Sequence, residues 1–324
     1  MLKFNKLVAI SGMTLLGALL AGPAAADTWP SKPVTVIIPY PAGGAADVVA
    51  RILTTELSQQ LGVPFIAEPK PGANSNIAAA TVAKAAPDGY TILISGPWFA
   101  INQFMETGRR WEPSDFTPIA RFAVTDNMMA VSAQSPVNSL ADYVKMAKGA
   151  GDKPLQYASP GSGSTQRMAA ELFQEAAGIK LQAVQYKGAP PILPDLVSNR
   201  VSMSILAAGT MTALAAAGNL RPLATFGESR GPNTPDVPTM VELGYTDAVV
   251  PSWFGLHAPA GTPAAVIDRL SATIGTIMAK PETKSKLLAA DAQPAYLDEK
   301  EFGQYIKHEE VRWGRVAKNV ASDK

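Results

Sequence analysis

The run Pro33-Val-Thr-Val-Ile-Ile-Pro-Tyr-Pro-Ala-Gly-Gly-Ala-Ala-Asp47 constrains this chain most, because it carries a buried strand through a glycine turn straight into a helix start. Residues 34–38 are apolar and largely β-branched over strand length, and Gly43 and Gly44 remove side chains where backbone N–H groups would approach a ligand. Val48, Val49, Ile52, Leu53, Leu57 and Leu61 then recur at helical spacing. The first turn of a helix carries N–H groups without internal partners and partial positive charge, so a carboxylate or phosphate is stabilised there. The same pattern also serves as a plain, tight strand-to-helix connection.

A second loop of the same kind bears on that choice. Ser159-Pro-Gly-Ser-Gly-Ser-Thr165 again joins a strand to a helix and gathers hydroxyls with glycine N–H groups. Ser164 or Thr165 can cap the following helix and do nothing else. With one such loop in each of two domains, both helix starts can address a single anion in a cleft, where α/β sheets commonly bind ligands.

The rest of the chain supplies the two domains. Its 324 residues, 47% of them apolar, are enough for two α/β units with a core each. Strands are expected at 34–38, 63–68 and 90–95, with a small-residue helix at 76–86 between the last two. After a long connection the rhythm restarts: a strand at 128–132, a helix at 139–148 opened by Ser139 with Asp142 three residues on, and a strand at 155–158. Helix and strand alternate on to 226, and the tail runs from a strand at 249–258 into helices at 263–279, 282–289 and 300–319. Those last helices need a sheet to cover. The chain therefore leaves the first domain, builds the second and returns, giving a first lobe of 27–125 plus 250–324 and a second of 126–249, with two crossovers as a hinge.

Residues 1–26 follow a separate logic. Lys3 and Lys6 precede an apolar core at 7–21, and Ala24-Ala25-Ala26 fits a small-residue cleavage signal, so a secretory signal peptide cut before Asp27 is expected rather than an anchor. Nothing beyond Asp27 is apolar over a membrane-spanning length, so no stable insertion is expected after cleavage. The absence of Cys removes disulfides, thiolate metal sites and cysteine nucleophiles. A net charge of +1, with 17% charged residues and no basic cluster, removes the electrostatic case for nucleic acid.

Enzyme signatures mostly fail. The loop at Gly161-Ser162-Gly163 lacks the spacing of a nucleophile elbow, the lysine of a phosphate-binding loop and the third glycine of a dinucleotide fingerprint. His257 and His308, the two histidines, lack a partner at metal spacing and read as structural. Asp47 either complements the helix dipole or meets ligand. Arg167, one turn into the second helix, is either a solvated surface group or a bidentate partner for a carboxylate. Trp98 and Phe99, following the third strand, are either cleft-lining or core. An exported enzyme using Asp47 or Asp195 as acid or base, or a receptor for a sensor kinase, stays open beside a binding protein.

The mature chain resembles the Bug receptors, the periplasmic substrate-binding proteins of tripartite tricarboxylate transporters. The resemblance rests on an ordered set: Pro39-Tyr-Pro-Ala-Gly-Gly-Ala-Ala-Asp47, Pro71-Gly-Ala-Asn-Ser-Asn-Ile77, Ala83-Lys-Ala-Ala-Pro-Asp-Gly-Tyr-Thr91, Ser159-Pro-Gly-Ser-Gly-Ser164, Tyr186-Lys-Gly188 with Asp195, Pro235-Asp-Val-Pro-Thr239 and Trp253-Phe-Gly-Leu-His-Ala-Pro-Ala-Gly-Thr-Pro263. It implies the two-lobed periplasmic-binding-protein fold, a flytrap in which each lobe is a Rossmann-like sheet flanked by helices. It also implies a ligand carboxylate held by the loops with Tyr40, Ala42, Gly43, Gly44 and Asp47 on one side and Ser159, Gly161, Ser162, Gly163, Ser164 and Thr165 on the other, with Asp195 nearby. The expected protein is a monomer without cofactor, metal or catalytic residue, partnered by a small organic carboxylate and inner-membrane transporter subunits. Where many such receptors have His in the second helix and Thr-His after the third strand, this chain has Arg167 and Trp98-Phe99. Those departures suggest a ligand with two carboxylates, the second near Arg167, with an aromatic ring such as that of terephthalate between them; citrate or an aliphatic diacid stays open.

Overall fold

A computed structural model describes residues 29–322 apart from Ser162 and Pro232; the leader expected at 1–26 lies outside the described residues. Three parallel strands start the first lobe: β1 (Val34–Ile38), β2 (Phe65–Pro69) and β3 (Thr91–Ser95), interleaved with α1 (Ala45–Leu61) and α2 (Asn76–Ala83) and followed by α3 (Trp98–Met105) and β4 (Phe116–Thr125). The second lobe holds β5 (Asn127–Ser132), α4 (Leu140–Gly149), β6 (Leu155–Ser159), α5 (Thr165–Ala177), β7 (Leu181–Gln185), α6 (Ile192–Val197), β8 (Met203–Ala207), α7 (Ala208–Ala216) and β9 (Leu220–Thr225). The chain then returns through β10 (Ser252–Pro259), α8 (Ala264–Met278), α9 (Pro281–Ala289), β11 (Gln293–Leu297) and α10 (Glu299–Ser322). Two sheets result, ordered β11-β4-β10-β3-β1-β2 and β7-β6-β8-β5-β9.

Strand β1 is apolar except at Thr35 because both its faces are covered. Val34, Val36 and Ile38 pack with Val49, Leu53 and Leu57 of α1 and with Leu270 and Ile274 of α8, while Ile37 joins Leu93, Trp253 and Phe302 on the opposite face. Helix α1 buries one stripe at four-residue spacing and leaves Val48 41% exposed on the other, so only part of the apolar repeat is core. Gly62 ends the helix in the left-handed conformation, returning its N–H to Ser58 O at 3.0 Å.

Three elements differ from the reading of the sequence, two of them because of proline. β4 contains Pro118, which argues against a central strand, yet β4 lies between β10 and β11. Pro118 faces His257 where the β10–β4 register shifts, so the irregularity takes up its missing N–H. β11 carries Pro294 and sits at the sheet edge, where a missing donor is tolerated. The third is 98–105, a helix rather than a cleft loop, begun after Pro97.

Two helices belong to both lobes. Trp98 and Phe99 of α3 pack in the first lobe, whereas Ala100 and Ile101 pack in the core of the second. Likewise α10 sets Phe302 and Ile306 in the first lobe, and Trp313 and Val316 in the second. The ring of Phe302 lies directly over Gly255 of β10, where no side chain would fit.

His257 is buried in this aromatic layer, stacked on Phe99 with centroids 4.4 Å apart and joined through Nδ1 to Ser95 Oγ at 2.8 Å. Burial pulls its pKa down from 6.5 to about 3. The unfolded chain therefore binds a proton that the folded chain refuses between those values: stability is complete above about pH 6.5 and falls as pH drops toward 3. Urea unfolding of the wild type is expected to lose about 1.4 kcal/mol per pH unit across this window from His257. In His257→Gln that part of the slope should vanish; an unchanged slope would exclude this histidine as its source.

Candidate functional site

The strands β2, β1 and β3 run parallel, so their carboxyl ends deliver three connections to one edge of the first sheet: 39–44, 70–75 and 96–97. In the second sheet β6 delivers the loop 160–164 in the same way. Gly161 meets Asn74 of the 70–75 connection, with only 3.0 Å between Asn74 Oδ1 and the place a Cβ would occupy. The second lobe's glycine loop thus meets the first lobe at the 70–75 connection, which leaves the same sheet edge as the glycine loop at 39–44.

The two glycine loops are built differently. In the first, Asp47 Oδ2 accepts Gly43 N–H at 2.9 Å and Arg51 Nε at 2.8 Å, while its buried Oδ1 has no hydrogen-bond partner. Gly43 needs its positive φ of 82° to make this turn. Asp47 is only 3% exposed; burial opposes its ionisation, but the Arg51 hydrogen bond, the Gly43 N–H and the Arg51 charge together hold the carboxyl below its usual range. The Gly43 N–H is thereby committed to Asp47. Donors remain nonetheless, because Gly44 provides no side-chain cap and the first turn of α1 has no side-chain acceptor there. Ala42, Gly43 and Gly44 are exposed, and Tyr40 is half-buried behind them, its phenol pKa pushed up by burial.

The second loop satisfies itself. Ser164 Oγ accepts Arg167 N–H at 3.1 Å and donates to Gly161 O at 2.7 Å, and Ser159 Oγ donates to the same carbonyl at 3.2 Å. Both serine hydroxyls are therefore spent on loop shape, and Thr165 is buried in the first turn of α5. Ser162 lies outside the described residues.

The remaining expected contacts hold other partners. The Arg167 guanidinium pairs with Glu171 at 2.6 Å and lies over the Tyr157 ring. Asp195 accepts from Tyr186 Oη at 2.7 Å and Arg200 at 3.1 Å; the Tyr186 hydroxyl foremost holds its carboxyl low. Trp98 and Phe99 are 5% and 2% exposed, Phe99 between Trp111 and His257.

Three residues not singled out in the sequence complete the interface. Asn102 Nδ2 donates to Asn74 O at 2.6 Å, and Asn74 Nδ2 to Glu106 Oε1 at 2.5 Å. Asn127, the first residue of the second lobe's sheet, accepts from Gln166 of α5 at 2.9 Å and donates to Val250 O at 2.8 Å. Asn74 could have been found from its place after β2, on the same edge as Gly43. Asn102 could not, because nothing in the sequence pattern marks a helix over 98–105.

A family model of the tripartite tricarboxylate transporter family receptor, TctC, matches residues 49–321. The chain belongs to this family. BugT of Bordetella pertussis is 29% identical over 328 residues, covering 99% of each chain. Among solved structures, Rpa4515 of R. palustris with adipate is 33% identical, covers 90% of this chain and 97% of its own, and superposes with a TM-score of 0.82. MatC of Rhodopseudomonas palustris with bound malate is 27% identical, covers 89% of this chain and 99% of its own, with a TM-score of 0.78. The two-lobed fold of these receptors is the fold described above. Among the described residues no helix is long and apolar enough to cross a membrane.

In this receptor the Asp47 anchor sets the shape of the first loop. Because its pKa is lowered, its contribution is present above the ordinary carboxylate range and is lost as pH falls through the folded value. Asp47→Asn is expected to cost about 1–3 kcal/mol in urea unfolding at pH 7, and the gap to wild type should close at acid pH. A gap that persists at acid pH would assign the cost to packing instead of charge.

Proposed function

We propose that the protein is an exported solute receptor that captures an organic dicarboxylate between its lobes, closes over it, and presents it unchanged to the membrane subunits of a tripartite tricarboxylate transporter. The observation that carries this reading is the uncapped first turn of α1 on the same sheet edge as the 70–75 connection, which meets Gly161 of the second lobe's glycine loop. Export to the periplasm is supported by the leader pattern in residues 1–26, and a monomer suffices for the mechanism.

The choice of two carboxylates is supported by the adipate in Rpa4515 and the malate in MatC. Terephthalate belongs to the same chemical class, but the burial of Trp98 and Phe99 removes the aromatic contact that would favour it over an aliphatic diacid. Arg167 stays the candidate for the second carboxylate, with a condition: the ligand must draw the guanidinium from Glu171. Such an exchange trades one carboxylate partner for another and favours a fully charged diacid. It also makes Arg167 a discriminator more than a source of affinity.

A thermal-shift screen against adipate, malate, terephthalate, citrate and benzoate tests the reading. A ligand at about 100 times its dissociation constant should add roughly 2.7 kcal/mol of stability, and be recovered unaltered after long incubation. No response to any of the five would sink the proposal. Arg167→Ala should weaken the best diacid far more than its monocarboxylate analogue; equal losses would remove Arg167 from the site.

A further inference from the structure

The first lobe's 70–75 connection and the shared helix α3 lay two asparagines against two glycines of the second lobe. A Cβ on Gly163 would stand 2.5 Å from Asn102 Oδ1, 3.4 Å from Glu106 Oε1 and 3.7 Å from Asn102 Cγ. Asn102 cannot swing aside cheaply. It is fully buried, and its Nδ2 is held by Asn74 O at 2.6 Å, leaving the Oδ1 turned toward Gly163 without a hydrogen-bond partner.

The support behind Asn102 is itself unusual. Ala73, Asn74 and Ser75 have φ of 46°, 50° and 75°, three consecutive non-glycine residues in the left-handed region. Such conformations persist only where the surroundings over-determine them. Here Asn76 Nδ2 donates to Ala73 O at 2.8 Å, and Trp111 Nε1 fixes Asn76 Oδ1 at 2.7 Å. The segment is thus held rigidly against Gly161 and α3.

Gly163 differs from Gly161 in a useful way. Gly161 has φ 156°, which disfavours a side chain on its own account, whereas Gly163 is outside the left-handed region and its backbone would accept alanine. The atoms nearest a Cβ at 163 belong to Asn102 of α3 and to Glu106 just after it.

We propose that Asn74 and Asn102 form a closure latch, a rigid polar edge built from the first lobe's 70–75 connection and the helix α3 that the lobes share, which seats on Gly161 and Gly163, so that Gly163 is bare because of that edge and not because of the ligand. This rests on the reading that the lobes close over a carboxylate. Alanine at 163 keeps the N–H that a ligand could use, and adds only a methyl group against Asn102. It should therefore hold the lobes apart without disturbing either one.

The cysteine-free chain allows a direct test. In Asn102→Cys/Gly163→Cys the place of Asn102 Cγ, which a cysteine sulfur would take, lies 3.7 Å from a Cβ at 163, so oxidised glutathione should crosslink the folded protein without ligand. Adipate, malate or terephthalate should speed the reaction. Failure to crosslink with or without any of the three, in protein shown folded by circular dichroism, would overturn the latch. A crosslink whose rate none of the three alters would leave the latch standing and bring down the carboxylate reading. For the diacid that binds, Gly163→Ala should weaken affinity about tenfold to a hundredfold, and Asn102→Ala should restore most of it. A loss that survives in the Asn102→Ala background, or no loss at all, would overturn the latch as well.

Discussion

The two lobes depend on how the chain crosses between them. It does so twice, from β4 into β5 and from β9 back to β10, and the two crossings lie side by side. Asn127 pins them: its buried amide donates to Val250 O and its carbonyl oxygen accepts from Gln166 at the start of α5. Backbone bonds from Phe226 N–H to Asn127 O and from Val250 N–H to Phe226 O complete the junction. A buried amide left unpaired costs about 1–3 kcal/mol, so this small network fixes where the lobes pivot and relates the second glycine loop to the pivot through Gln166. Helices α3 and α10, each packed into both cores, then limit the directions in which the lobes can move.

Given that frame, the two glycine loops take unequal shares. The first loop is held from behind by Asp47 and leaves the start of α1 without a side-chain acceptor, so its remaining amides are preorganised donors. The second loop folds its hydroxyls onto Gly161 O and caps α5 with Ser164. Among its described residues, the donors left over are backbone groups. Backbone donors recognise a carboxylate without reading what bears it, so on the proposed reading discrimination falls to side chains. On that proposal Arg167 discriminates, because it is paired with Glu171 and only a ligand that offers a better anion can take it.

Much of this was legible in the sequence. The apolar run at 34–38, the glycines at 43 and 44 and the repeat through Leu57 specify a strand, turn and helix with little dependence on the rest of the chain. The Ser164 cap and the second loop were legible for the same reason, since both are local. What stayed hidden was non-local. Pro118 and Pro294 disguise β4 and β11 because the sheet tolerates them only at a register shift and at an edge, neither of which a local pattern reveals. Phe99 reads equally as cleft or core until Trp111, Phe116 and His257 are seen around it. Arg167 reads as an available cation until Glu171, one turn on, is seen to claim it.

Closure links these features. A ligand shifts lobe populations only by the difference in its contacts between open and closed forms, so contacts made by one loop alone give affinity without closure. The diacid can bias closure only by touching both sides, and the lobes can meet only where nothing stands between them. Gly161 and Gly163 serve the second requirement and Asn74 and Asn102 define its limit, since a buried amide fixed at 2.6 Å is a stop as much as a contact. The distance at which the lobes halt then sets the length of ligand the cleft encloses. A receptor built this way tunes ligand size through residues that never touch the ligand, and tunes charge through the one arginine that must change partners to do so.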